Sequence, residues 1–172
     1  MKSDSFCYRI FFIFTKLIIK TMKKSILLVL FTLATFVSQA QEIKWMTMKE
    51  AVAAQKKNKK PIFIDAYTVW CGPCKMLDKN TFSDEKVVKA INEKYNPVKF
   101  NAEGNEEIQF GGKLYKNPNY QETRKNSRNG MHEFTGFLQV PGYPTMVVIN
   151  SAGKIEKTIV GYNTPADLLP QL

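Results

Sequence analysis

Two cysteines three residues apart, Cys71 and Cys74, carry the most evident chemistry in this 172-residue chain. They follow Pro61-Ile62-Phe63-Ile64-Asp65-Ala66-Tyr67, an apolar run opened by proline that reads as a buried strand, and they precede a stretch with helical patterning. At that spacing both side chains lie on one helix face, where their sulfurs can meet. A helix start offers N–H groups without intrahelical acceptors and a partial positive charge, and both stabilise a thiolate. Cys71 is therefore expected as the exposed nucleophile, and Cys74, a turn deeper, as the thiol that resolves a mixed disulfide. Pro73 is tolerated between them because first-turn amides have no intrahelical partner to lose.

Two other uses of such a pair are a metal site and a structural disulfide. A zinc site needs four ligands, and beyond these thiols residues 41–172 add only His132. An inert structural disulfide explains neither the position at a strand-to-helix junction nor the adjacent Trp70. Redox exchange is the expected chemistry, with no metal and no cofactor beyond a redox-active Cys71–Cys74 disulfide. The alternative function is a client-binding module whose disulfide is structural or vestigial.

The elements that must position the pair alternate between strand and helix signals. Thr47-Met48-Lys49-Glu50 has capping-box spacing and opens a helix carrying Val52, Ala53 and Ala54. Its basic end, Lys56 to Lys60, suits the negative pole of the helix and lacks the aromatic or glycine-rich companion of a nucleic-acid surface. After the cysteines a helical stretch restarts at Ser83-Asp84-Glu85, with Val87, Val88, Ile91 and Tyr95 on its buried face, until Asn96-Pro97 stops it. Val98 to Ala102 reads as a strand, Ile108 to Tyr115 as a small hairpin with a Gly111-Gly112 turn, and Met131 to Gln139 as a short helix. Met146 to Ile149 and Ile155 to Val160 form a strand pair, and Thr164-Pro165 starts a last helix. This order predicts an α/β fold, a central mixed sheet flanked by helices.

Trp70-Cys71-Gly72-Pro73-Cys74-Lys75 resembles the thioredoxin active-site signature residue for residue. Tyr143-Pro144-Thr145 is similar to the thioredoxin loop whose cis-proline faces the dithiol, and the region from Thr81-Phe82-Ser83-Asp84 onward is similar to secreted bacterial thioredoxin-like proteins. The likeness runs from about Lys44 to Leu172. It implies a thioredoxin-like fold, a cis Tyr143–Pro144 bond, and a Tyr143 backbone that pairs with substrate. It also implies a substrate surface of Trp70, Gly72, Pro73, Tyr143 and Pro144. Asp65 matches the buried acid of the family; a carboxylate among Ile62, Phe63 and Ile64 should have a raised pKa and could take the Cys74 proton. Lys99 matches the lysine that partners this acid, against ordinary snorkelling from a strand. Protein thiols and disulfides are the implied clients, together with an electron donor or acceptor of unspecified identity. Cys-Gly-Pro-Cys resembles reducing members of the family.

Two departures from thioredoxin stand out. Residues 104–130 are inserted before the cis-proline loop, and the short terminal helix contains Pro170, so weak packing is expected at that edge. His132 is expected to be a surface or capping residue, and Glu103, Glu106 and Glu107 a solvated trio.

The first forty residues read as a leader. Met22-Lys23-Lys24, an apolar run from Ile26 to Val37, and Ser38-Gln39-Ala40 have the layout of a secretory signal peptide, with cleavage expected after Ala40 and export as the consequence. Translation from Met22 and one extended signal region both fit residues 1–21. The full chain has 25 Lys+Arg against 15 Asp+Glu, net +10. The leader holds six of the basic residues, Cys7 and one acid, so residues 41–172 are net +5 with a single cysteine pair. No nucleic-acid partner is expected of that charge, and the thioredoxin-like domain, 41–172, is expected to be a monomer.

Overall fold

Thr47 opens the first helix through the reciprocal bonds its spacing predicts: its hydroxyl accepts the Glu50 N–H, and the Glu50 carboxylate accepts the Thr47 N–H. The computed structural model describes residues 42–172, and the leader expected over residues 1–40 lies outside them. Helix α1 (Met48–Asn58) leads into strand β1 (Ile62–Tyr67), helices α2 (Gly72–Asn80) and α3 (Glu85–Lys94), and strand β2 (Asn96–Asn101). The hairpin β3 (Ile108–Phe110) and β4 (Lys113–Tyr115), a 3-10 turn at Glu122–Arg124 and helix α4 (Glu133–Phe137) come next. Strands β5 (Thr145–Ile149) and β6 (Ile155–Val160), helix α5 (Pro165–Leu168) and a 3-10 turn at Leu169–Gln171 end the chain.

The main sheet has the order β2-β1-β5-β6, with β1 parallel to β2 and antiparallel to β5, and β5 antiparallel to β6. It is the mixed sheet the element order predicts. The two interior strands are buried nearly throughout because helices cover both faces. The alternation of β1 sorts its side chains: Ile62, Ile64 and Ala66 join one apolar cluster with α1, the hairpin and α4. Phe63 joins the other, with Leu77 of α2, Val87, Val88 and Ile91 of α3, and Leu168. Asp65 shares the Phe63 face by the same period of two, and Lys99 of β2 is its direct register partner.

Two expectations are corrected here. Helix α3 stops before Asn96-Pro97 as expected, but the strand expected from Val98 already begins at Asn96, so Pro97 sits inside β2. The Asn96 N–H donates to Pro61 O and the Ala102 N–H to Tyr67 O, so even-numbered amides face β1 and the N–H that proline lacks would have pointed to the sheet edge. The terminal edge is also firmly packed. Leu168 is fully buried, the Tyr95 hydroxyl donates to Leu172 O at 2.8 Å, and the Thr81 hydroxyl donates to Asn163 O at 2.6 Å. Pro170 lies in the first turn of the final 3-10 segment, where no helical bond is lost.

Candidate active site

Strand β1 ends at Tyr67, and within four residues the chain begins α2, so Cys71 arrives at the helix N-cap. Its Sγ accepts the Cys74 N–H at 3.1 Å, and its own N–H donates to Thr68 O at 3.2 Å. The two cysteines form a disulfide, S–S 2.05 Å with the Cα atoms 5.3 Å apart. The expected contrast between an exposed Cys71 and a buried Cys74 is not found, since each is 3% exposed. Serving as N-cap and bonded to Cys74, the Cys71 side chain is folded back on the first helical turn. Gly72 and Pro73, between them, are exposed, and a Cβ added at Gly72 would meet no atom within 4 Å.

On the Phe63 face of the sheet, Asp65 is 1% exposed and its Oδ2 lies 2.8 Å from the Lys99 ammonium. Its other oxygen, Oδ1, is buried with no hydrogen-bond partner among the described residues. Desolvation pushes the Asp65 carboxyl up to about 6, against the downward pull of Lys99 and with a small upward push from Asp78. Lys99 is also bonded to Asp78 of α2, and its ammonium lies 5.1 Å from the Trp45 ring, 5.2 Å from Tyr67 and 5.4 Å from Phe82. Desolvation works against its charge, yet the two carboxylates outweigh it and hold the lysine above its ordinary pKa. Asp78 escaped the sequence reading. Its available signal was its position four residues after Cys74, one turn further along the same helix.

Trp70 is tied to the far side of the site. Its ring meets Tyr143 edge-on, centroids 6.0 Å apart, and the Tyr143–Pro144 peptide bond is cis. Its indole N–H donates to Glu103 Oε2 at 2.8 Å, the same oxygen accepts the Asn129 N–H at 2.8 Å, and the Arg128 guanidinium stacks 3.9 Å from the indole centroid. Glu103 is therefore half-buried and bonded rather than solvated; Glu106 and Glu107 are exposed, and Glu107 pairs with Lys116 at 2.7 Å. No group of side chains suited to holding a metal occurs among the described residues.

The segment 104–130 that supplies Arg128 is closed at its base by one side chain. The Asn117 amide donates to Gly104 O at 2.9 Å and to Gly130 O at 2.6 Å. At Gly130 a Cβ would come within 2.5 Å of Asn119 O, so only glycine fits that approach. His132 caps α4 as expected but is fully buried, not at the surface. Its Nδ1 accepts the Phe134 N–H, which leaves Nε2 to donate to Glu106 O at 2.7 Å.

The sequence profile of a family described as a thioredoxin-like domain matches residues 48–172. The thiol:disulfide interchange protein DsbD of Campylobacter jejuni is 30% identical over 116 residues, which is 67% of this chain but 16% of that protein. Among solved structures, a candidate disulphide-isomerase from Bacteroides thetaiotaomicron superposes with a TM-score of 0.54 at 27% identity, over 78% of this chain and 93% of that one. A thioredoxin from Thermus thermophilus superposes with a TM-score of 0.53 at 17% identity, over 76% and 84% of the two chains, a likeness of fold.

Proposed function

The chain belongs to the thioredoxin-like family, and from that premise we propose that it is an exported thiol–disulfide oxidoreductase that reduces or exchanges protein disulfides. The observation that carries this reading is the Cys71–Cys74 disulfide in the first turn of α2, with the Cys74 amide directed at the Cys71 sulfur. Once reduced, that same amide and the helix start stabilise a Cys71 thiolate.

The thiolate attacks one sulfur of a client disulfide; the Cys71–client bond forms, the client S–S bond breaks, and the departing client thiolate takes a proton from water. Cys74 then gives its proton to the Asp65 carboxylate and attacks Cys71 Sγ. The Cys71–Cys74 bond re-forms, the mixed disulfide breaks, and the second client thiolate leaves and is protonated. Two electrons pass from the dithiol to the client. A partner dithiol, oxidised in turn, restores the starting state. Asp65, with a pKa of about 6, is ionised at neutral pH and basic enough to take the proton transiently. Lys99 holds it in place. The Tyr143 N–H and C=O have no hydrogen-bond partner among the described residues and suit an extended client segment beside Pro144. Export rests on the leader pattern of residues 22–40, and the domain is taken as 41–172.

The test is insulin reduction by the full chain with dithiothreitol as electron source, alongside mass spectrometry of trapped species. Precipitation of the insulin B chain well above the dithiothreitol background is expected, with loss of that excess in Cys71→Ser. Cys74→Ser should accumulate client disulfides on Cys71. Insulin precipitation at background, or an unaltered Cys71→Ser variant, would overturn the enzyme reading in favour of the client-binding module.

A further inference from the structure

Arg128 reaches the redox site from the inserted segment, and nothing in the exchange chemistry uses it. Its guanidinium carbon lies over Trp70, 3.9 Å from the centroid of the indole that also meets Tyr143, and Trp70 is the residue before Cys71. The stack is held in place from below. Glu103 Oε2 accepts both the Trp70 indole N–H and the Asn129 N–H, so the residue after Arg128 is bonded to the group that orients the tryptophan. Asn129 is fastened again on its other side, its side chain exchanging bonds of 2.8 Å with the Gln121 backbone N–H and C=O. A long, flexible side chain is thereby given a defined station at the rim.

The charge balance of the segment sets what that station meets. Residues 104–130 contain five basic and three acidic residues. Lys116 pairs with Glu107 and Lys125 with Glu122, whereas Arg128 is exposed and has no carboxylate within 4.0 Å among the described residues. Across the cysteines, Lys75 of α2 is exposed, and it too has no ion pair among the described residues. The remaining rim residues, Trp70, Gly72, Pro73, Tyr143 and Pro144, carry no charge. Glu103, the acid bonded to Trp70, is half-buried with Oε2 committed to two N–H donors, so it anchors the rim instead of facing a client. A stacked guanidinium keeps its edge N–H groups free, and their fork matches a carboxylate.

We propose that Arg128 is a specificity-determining residue that selects disulfide-bearing segments with Asp or Glu beside the reacting cysteine. The inference rests on the oxidoreductase reading and names its substrate class. The exchange itself is unchanged: the same two electrons pass from Cys71 and Cys74, and Arg128 acts only on how the client docks. The exposed position makes the contribution that of a screened charge pair, so it should weaken with salt.

The probes are three otherwise identical disulfide-linked peptides with Glu, Gln or Lys flanking the cysteine. The pre-reduced full chain is mixed with each and quenched with acid, and the thiols released on the peptide are counted over time after separation from the protein. The wild type should oxidise fastest with the Glu peptide, about fivefold over Gln at low salt, as one screened contact gives, and the preference should shrink at high salt. Arg128→Gln should bring the Glu-to-Gln ratio close to one, Arg128→Glu should reverse the order towards the Lys peptide, and Arg128→Lys should keep part of the preference. A merely structural role for Arg128 would alter all three rates together and leave the ratios as they were; that result overturns the inference. Equal rates for the three peptides with the wild type overturn it as well, with the oxidoreductase reading intact. Failure of every peptide to react overturns both.

Discussion

The redox end and the inserted segment are positioned by opposite means. Around Cys71, Cys74 and Asp65, position comes from regular elements laid over apolar side chains, with Phe63, Leu77, Val87 and Ile91 closed to solvent. Between residues 104 and 130 it comes largely from polar side chains that grip main chain: Asn117 on Gly104 and Gly130, Asn129 on Gln121, and Glu103 on Asn129. Packing that excludes water raises the cost of a charge, which is what lifts Asp65 into a useful range. Polar tethering leaves charges such as Arg128 in water, where a partner can reach them. The chemistry is kept in the dry region and the choice of client in the wet one.

The β3–β4 hairpin is where this distinction is most exposed to failure, because it sends Ile108, Phe110 and Tyr115 into the core. Phe134 is fully buried, with ring centroids 5.4 Å from Phe100, 5.8 Å from Phe110 and 5.2 Å from Tyr115. Phe134→Ala should cost about 3–5 kcal/mol in urea unfolding and should loosen the hairpin amides in hydrogen exchange. A cost below about 1 kcal/mol would mean that the hairpin is held without the core, and the two regions would be more alike than described.

Asp65→Asn sharpens the dry side of the comparison through pH. The carboxyl has a pKa of about 6 in the folded state against 3.8 as its ordinary value. Below the lower value it is protonated in both states and costs nothing. Between the two values the unfolded chain has given up its proton while the folded chain keeps it, so stability falls as pH rises through that window and is level above it. The variant lacks this loss. Its advantage over the wild type should grow by about 3 kcal/mol between pH 3 and pH 7, read from urea midpoints at each pH. A difference independent of pH would show that Asp65 is solvated.

Glu103→Ala addresses the wet side and should have the smallest effect. Removing one acceptor from two donors should cost about 1–2 kcal/mol, with faster exchange at Asn129 and Gly130 and little change in β1 or α2. A uniform rise in exchange across the sheet would erase the boundary between the regions.

The sequence disclosed more of the first region than of the second. The strand, the cysteine pair and the helix start lie within a short stretch, and their patterning, proline and capping residues report local backbone preferences directly. The Gly-Gly turn was legible for the same reason, since both glycines hold a positive φ, 57° and 80°, in a two-residue hairpin loop. Asp78, Arg128 and the half-buried Glu103 were not legible in their roles, because each is an ordinary surface-type residue until distant chain is brought against it. His132 shows the limit most plainly. Its capping role is local, whereas its complete burial brings in distant chain, the Glu106 carbonyl at Nε2 and the Phe100 ring edge-on to the imidazole.

By itself, then, the sequence determined where a dithiol would stand in a mixed sheet, because one turn of helix and one strand are encoded by residues within reach of each other. The tertiary structure alone decided that Cys71 is folded into its cap, that Lys99 serves two carboxylates, and that an arginine from the inserted segment covers Trp70. Those relations depend on how the layers pack and where a loop is tied, and no local pattern carries that information.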